Sequence, residues 1–272
     1  MIRNLTIFPT KWRSRRPNSY ILITIVITLY LLASCSSGES AESRPSLPAV
    51  PPETIAAADD LFAEREDLAK LREARAMLML ARKANAKSYD IEWRLARYNY
   101  FLGRHTEDDK EREDAFEAGR LAGRAALQME PGKPDGHFWY AANLGEQANR
   151  SPLTTGLKSM DDIRSKMNKV IELKPEYELA SAYDVLAQVE LGSQMLGGKP
   201  EKAVEYLEKA IEIEKNNGDV RIHMAEALLA LKKQGEAKKH LEYVLQMKPH
   251  PEYLPEYEQQ VAKVRKMLES KF

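Results

Sequence analysis

The chain has 272 residues, 41 basic and 41 acidic, with one cysteine and five histidines. That length allows one or two domains, and high charge with abundant Ala, Leu, Glu and Lys favours helix over strand. Residues 1–34 carry Arg3, Lys11, Arg13, Arg15 and Arg16 and no acid, so the rest holds 36 basic against 41 acidic residues, a net of −5; an acidic body without a basic, aromatic-interleaved run argues against nucleic-acid binding.

Behind the basic stretch, "ILITIVITLYLLA" (21–33) is thirteen residues of low polarity. That is short of the roughly 20 needed to span a bilayer and suits the apolar core of a signal peptide. It runs into "LLASCSS", which holds the single cysteine, Cys35. Leu32, Ala33 and Ser34 before Cys35 resemble the lipobox of bacterial lipoproteins. The other reading is a short signal anchor with an incidental cysteine. The lipobox implies cleavage before Cys35 and acyl chains on its sulfur and new amino group, and several chains anchor stably where one is marginal. Ser36, rather than Asp, in second place resembles the outer-membrane sorting of diderm lipoproteins. A single cysteine excludes an internal disulfide and a thiolate metal site.

"SSGESAESRPSLPAVPPE" (36–53) is rich in Ser and Pro and has no apolar period, which reads as a flexible tether reaching very roughly 20–25 Å. The expected organisation is a lipoprotein signal peptide (1–34), a lipidated Cys35 with tether (35–53) and one helical domain (54–272).

From residue 54 apolar residues and alanines recur three and four apart, the period of a helix. "KPEKAVEYLEKAIEIEKNN" (199–217) aligns with "QGEAKKHLEYVLQMKPH" (234–250): Ala203 with Ala237, Leu207 with Leu241, Ala210 with Val244, each pair 34 apart. About 34 residues is the tetratricopeptide period, in which small residues let two helices approach and each hairpin buries its remaining apolar face on the next. Ala74, Leu78 and Ala81, and Ile163, Met167 and Val170, repeat the signature upstream. Gly119, Gly123 and Ala126 give it with a poorer large-residue slot. The spacing predicts second helices near 68–85, 109–129, 158–173, 200–214 and 234–247, with a capping helix from Pro255. The expected fold is all-α: a tetratricopeptide-like α-α superhelix of about five helical hairpins plus a C-terminal capping helix. Longer spacings upstream place insertions at 103–109, 149–159 and 192–198, in the turns within hairpins, and loops on a rigid scaffold often carry function.

The window "GHFWYAANLGEQ" (136–147) looks most like a site. Repeat phase puts His137, Tyr140, Ala141 and Leu144 in packing positions. It puts Phe138, Trp139, Ala142, Gly145 and Glu146 on the face that lines a concave groove, with two rings beside small residues that leave space. The same phase gives Trp93, Arg94, Arg97, Tyr100 and Phe101, then Asp184, Val185, Gln188 and Leu191, then Ile222, His223, Glu226 and Leu229. The expected groove is aromatic and basic at one end and acidic at the other, and Arg is well built to hold a carboxylate. Trp93, Phe138 and Trp139 are equally explained by packing, Arg94 and Arg97 by solvation, and His137 and His223 by ordinary structural roles.

"GHFWYAANLGEQA", "SPLTTGLKSMDDIRSKMNKVIELKPEY" and "LGGKPEKAVEYLEKAIEI" resemble the tetratricopeptide lipoprotein (T) component associated with tripartite ATP-independent periplasmic (TRAP) transporters. "IEWRLARYNYFLG" also resembles the regulator-of-microtubule-dynamics family, a relative with the same arrangement. The first resemblance implies a periplasmic scaffold that docks a substrate-binding protein, assembles as a homo-oligomer and takes a hydrophobic or organic-acid ligand.

No catalytic constellation stands out. His105, His137, His223, His240 and His250 form no metal pair at helical spacing, and there is no Gly-x-Ser-x-Gly elbow or strand-borne phosphate loop. The function expected is that of a non-enzymatic lipoprotein scaffold without cofactor or metal. It would be anchored in the bacterial envelope, at the outer membrane and facing the periplasm. The alternative is an envelope-assembly tetratricopeptide lipoprotein acting in outer-membrane protein insertion or pilus secretion, and a third is storage or delivery of a small ligand.

Overall fold

The computed structural model describes residues 51–85, 88–151 and 155–272; the signal segment, Cys35 and most of the tether lie outside them. Eleven α-helices follow in order: α1 Pro52–Ala63, α2 Leu68–Asn85, α3 Tyr89–His105, α4 Asp109–Met129, α5 Pro134–Arg150, α6 Leu157–Leu173, α7 Tyr177–Gly192, α8 Pro200–Ile213, α9 Gly218–Ala230, α10 Gln234–Gln246 and α11 Leu254–Lys271. Short 3-10 turns precede α8 and α11.

Local chemistry sets these starts. Ser88, Asp108 and Asn217 accept from the backbone N–H three residues on and cap α3, α4 and α9. Proline in the first turn opens α1, α5, α8 and α11, where its missing N–H has no helical partner to lose. α1 begins at Pro52, two residues before the boundary expected at 54.

The helices pair as five hairpins, α1–α2 to α9–α10, with α11 at the end, and the second helices fall where the spacing puts them. Their signature residues are the contacts that the repeat requires: Ala74, Leu78, Met167, Val170, Ala203, Leu207, Ala210, Ala237, Leu241 and Val244 are fully buried. Successive first helices also pack on one another, α3 on α5, α5 on α7 and α7 on α9, which puts them on the inside of the curve. The three insertions lie in the α3–α4, α5–α6 and α7–α8 turns.

Gly119 and Gly123 are close-approach positions rather than weak versions of a large slot. A Cβ on Gly123 would sit 2.6 Å from the Tyr140 backbone nitrogen, and one on Gly119 would sit 2.2 Å from Asn143 Oδ1. The missing side chains let α4 lie against α5 and admit Asn143, whose Nδ2 donates to the carbonyls of Ala96 (3.0 Å) and Trp139 (2.7 Å) and ties α5 to α3.

One stretch departs from helical geometry. Glu178, Leu179 and Ala180 at the start of α7 have φ of 47°, 54° and 62°. Left-handed backbone costs a non-glycine residue about 1–2 kcal/mol. The Leu179 carbonyl accepts from Asn217 Nδ2 (3.1 Å), which fixes the turn against the next hairpin.

Candidate functional site: the inner face and the segment that fills it

The predicted groove residues lie on the first helices α3, α5, α7 and α9, and they do not enclose an empty channel. Trp139 and Phe138 are 2% and 4% exposed. The Trp139 indole N–H donates to the Tyr177 hydroxyl (3.1 Å), Tyr177 donates to Asp135 (2.9 Å), and Asp135 also accepts from Tyr89 (2.5 Å). The rings of Tyr100, Phe101 and Phe138 lie within 6.0 Å of Trp139, centroid to centroid. The expectation that Phe138 and Trp139 wall an open space is therefore corrected: neighbouring rings occupy it, because an indole with a satisfied N–H and three ring contacts is a core residue. Phe101 and Ile222 are likewise buried. Of the packing set, His137 is buried with Nε2 2.9 Å from the Pro131 carbonyl, and Tyr140 donates to Asp162 (2.7 Å).

The arginines divide. Arg94 lies over the half-buried Trp93 ring at 4.2 Å and pairs with Asp59 of α1 (2.9 Å), so it fastens the first two hairpins. Arg97 turns inward. Its side chain, 12% exposed, pairs with Glu252 and stands 3.8 Å from Glu178, with the Phe62 ring 4.6 Å away. Burial works against its charge, but Glu178, Tyr253 and Glu252 outweigh burial and raise its pKa. Tyr100 accepts from Arg104 (3.0 Å), and Arg104 also meets Glu146 (3.4 Å). Burial pushes the Tyr100 hydroxyl up to about 12.

At the other end, Asp184 is buried and accepts from Gln188 (2.9 Å), and His223 Nδ1 lies 2.7 Å from its second oxygen. Burial disfavours the His223 charge, yet Asp184 more than offsets it and the ring's pKa is raised. Glu226 pairs with Lys263 of α11 (3.0 Å).

The sequence pattern did not anticipate what faces these residues. The 3-10 turn Pro251–Tyr253 and the first turns of α11 fold back onto the inner face. Arg65, in the α1–α2 turn and 2% exposed, forms a fork to the Glu256 carboxylate (2.7 Å to each oxygen) and donates to the Glu252 carbonyl (2.5 Å). The Tyr253 hydroxyl donates to Glu178, the residue carried by the left-handed turn. Gln259 meets His105 (3.2 Å). Burial lifts the Glu256 carboxyl above its ordinary range even with Arg65 beside it, and it does the same to Glu178 despite Arg97.

A second feature is a polar cleft of about 690 Å³ between α4, α5 and α6, lined by Arg120, Arg124, Tyr140, Gln147, Asp162 and neighbours. Its charges are largely matched: Arg120 forks onto Glu117, and Gln147 donates to the same carboxylate. Among the described residues no group of three His, Cys, Asp or Glu is arranged to hold a metal ion, and no helix is long and apolar enough to cross a membrane.

Residues 54–183 match the family described as Regulator of microtubule dynamics protein 1-3, and residues 195–254 match Tetratricopeptide repeat. Regulator of microtubule dynamics protein 3 of Bos taurus is 25% identical over 191 residues, covering 65% of this chain and 41% of that protein. The Rattus norvegicus protein of the same name is 28% identical over 100 residues, covering 37% and 21%. The chain thus spans well under half the length of these relatives. Among solved structures, a thermophilic TPR protein of Thermus thermophilus superposes with a TM-score of 0.59 at 17% identity, over 79% of this chain and 97% of that one. Pseudomonas aeruginosa pilF gives 0.51 at 18%, over 80% and 91%. The chain is an all-α tetratricopeptide-type superhelix, and its residues 54–183 are similar to the regulators of microtubule dynamics.

Proposed function

We propose that this chain is a lipid-anchored, non-catalytic scaffold that holds a partner protein on the inner face of its superhelix. The observation that carries the reading is Arg97. It is a largely buried guanidinium on a first helix whose carboxylate partners come from α7 and from the segment ahead of α11, so the inner face is built to hold an acidic stretch of chain. The anchor is Cys35, supported by Leu32, Ala33 and Ser34 before it, and Ser36 after it favours the outer membrane, with the body facing the periplasm. The partner is a transporter substrate-binding protein, supported by the resemblance to the TRAP-associated component, and a homo-oligomer belongs to this reading. The filled aromatic interior weighs against a small hydrophobic or organic-acid ligand between Trp139 and Arg97. The alternative, an envelope-assembly lipoprotein for outer-membrane protein insertion or pilus secretion, keeps the anchor and the inner face and changes only the partner.

Photo-crosslinking amino acids at Gln188 and Tyr100, with outer-face Glu205 as the control, test this in cells. The expected result is one crosslinked protein from the inner positions alone. A substrate-binding protein supports the first reading and a β-barrel or secretin component the alternative. Equal capture from Glu205, or none from the inner face, overturns both. Cys35→Ser is expected to abolish acyl labelling and release the chain from membranes, and persistence of either sinks the anchor.

A further inference from the structure

We infer that residues 250–260, the turn before α11 and its first turns, are a displaceable stand-in for a partner segment of the same chemistry: an acidic stretch with a tyrosine one position after its first glutamate and a second glutamate four residues after that first one. The inference rests on the inner-face reading above and names its partner chemistry and its regulation. The recognition elements are already engaged in cis. Arg65 reads Glu256 as a fork and the Glu252 carbonyl, Arg97 reads Glu252, and Glu178 takes the Tyr253 hydroxyl. The ring of Tyr253 lies 5.9 Å from the Arg65 guanidinium, which also lies 4.8 Å from each of the Phe62 and Phe101 rings.

Three observations separate this segment from an ordinary capping helix. First, α11 buries only Gln260 and Val264 of its eighteen residues, whereas its inner-face neighbour α9 buries seven of thirteen. Its N-terminal end is held by these polar contacts together with the partly buried rings of Tyr253 and Tyr257, the latter donating its hydroxyl to the Val244 carbonyl (2.8 Å). Second, those contacts join residues 187 and 191 apart, between the first hairpin and the far end of the chain, so releasing them leaves every hairpin's own packing intact. Third, the energetics favour exchange over vacancy. A buried ion pair gains little net stability because desolvation cancels most of the attraction, but removing one member strands a buried charge at a cost of several kcal/mol. Arg65 therefore needs a carboxylate, and a carboxylate from another chain serves as well as Glu256. The left-handed turn that aims Glu178 at Tyr253 and Arg97 is strained backbone at the point of contact, as is common in residues positioned for recognition.

The test uses the full chain in detergent and a fluorescein-labelled peptide of residues 249–263. Glu252→Arg with Glu256→Arg sets the chain's own segment against Arg65 and Arg97 and opens the face. The peptide is expected to bind this double variant at least tenfold tighter than the wild type, and the gain is expected to vanish when Arg65→Glu is added. Equal binding to wild type and double variant, or none to either, overturns the inference. Hydrogen exchange on the wild type decides the matter even where the variant folds poorly. Amides of 254–268 are expected to exchange at least a hundredfold faster than those of 237–244, and equal protection means the segment is a fixed part of the fold. The cellular crosslinks fail independently: captured partners with a fully protected segment leave the scaffold reading standing and remove this one, while a displaceable segment without crosslinks does the reverse.

Discussion

The two halves of the superhelix are built from different materials. The core from α1 to α7 is aromatic: Phe62, Tyr98, Phe101, Phe138, Trp139 and Tyr177 meet in it, with Asn99 and Asn143 buried among them. Among the described residues the buried core from α8 to α11 holds Ala, Leu, Val, Ile and Met and no ring. A repeat of alanines and aliphatics is interchangeable from hairpin to hairpin and keeps a 34-residue register. Rings with hydroxyls and indoles that need specific partners are not interchangeable, so the first half loses the register and gains insertions. Generic packing makes a spacer; specific packing fixes where the inner face points its charges.

The largest contrast is expected from truncating the aromatic core. Trp139→Ala is expected to cost about 3–5 kcal/mol and to remove the donor to the Tyr177 hydroxyl, which keeps its bond to Asp135, so chemical denaturation should show the first half melting before the second. Trp139→Phe keeps most of the volume and loses the N–H donor and part of the ring system, for about 1–2 kcal/mol. If the phenylalanine variant is as damaged as the alanine one, the hydrogen-bond chain through Tyr177 and Asp135 matters more than the ring. If neither is destabilised, Trp139 is not the core residue described above.

Next comes the close approach of α4 and α5. Gly123→Ala puts a methyl 2.6 Å from the Tyr140 backbone nitrogen, and because neither helix backbone can yield locally, a loss of about 2–3 kcal/mol is expected. Gly235, in α10, has nothing within 4 Å of a built Cβ, so Gly235→Ala is expected to stabilise by about 0.5–1 kcal/mol through helix propensity alone. Opposite signs for one chemical change, read from denaturant midpoints, would express the difference between the halves directly. Two losses of similar size would erase it.

These sites also show what the sequence could carry. Ala203, Leu207, Ala237 and Leu241 declare their roles by spacing, because burial in a repeat depends on phase alone, and all five second helices follow. Gly123 declared its smallness but not its partner, since α5 approaches from another hairpin. Arg97, Tyr100, Asp184 and His223 reach the inner face by the same phase. Phase could not tell an open face from a filled one. The contacts that fill it, Arg65 with Glu256 and Arg97 with Glu252, join residues more than 150 apart in chain order and exist only because the superhelix curves back on itself.

A pH-dependent effect lies where the two halves meet through the C-terminal segment. His105, on α3, stacks beside Phe101 and faces Gln259 of α11. Burial and the charges of Arg104 and Arg65 lower its pKa from 6.5 to about 4, against a weak opposing pull from Asp219. The unfolded chain therefore binds a proton between those two values that the folded chain refuses. Stability contributed by the neutral ring is complete above about pH 6.5 and drains away on acidification towards 4. After discounting for the ring's partial exposure, the loss is of order 1–2 kcal/mol. Glu178 and Glu256 act in the opposite sense just above pH 4.5, because burial raises both carboxyls and folding then favours their protonation. The wild-type curve alone mixes the two, so the informative measurement is the difference in unfolding free energy between wild type and His105→Gln from pH 7 to 4. That difference should narrow steadily in favour of the variant as pH falls, and a difference that stays flat would mean that the ring gains its proton without feeling Arg65 and Arg104.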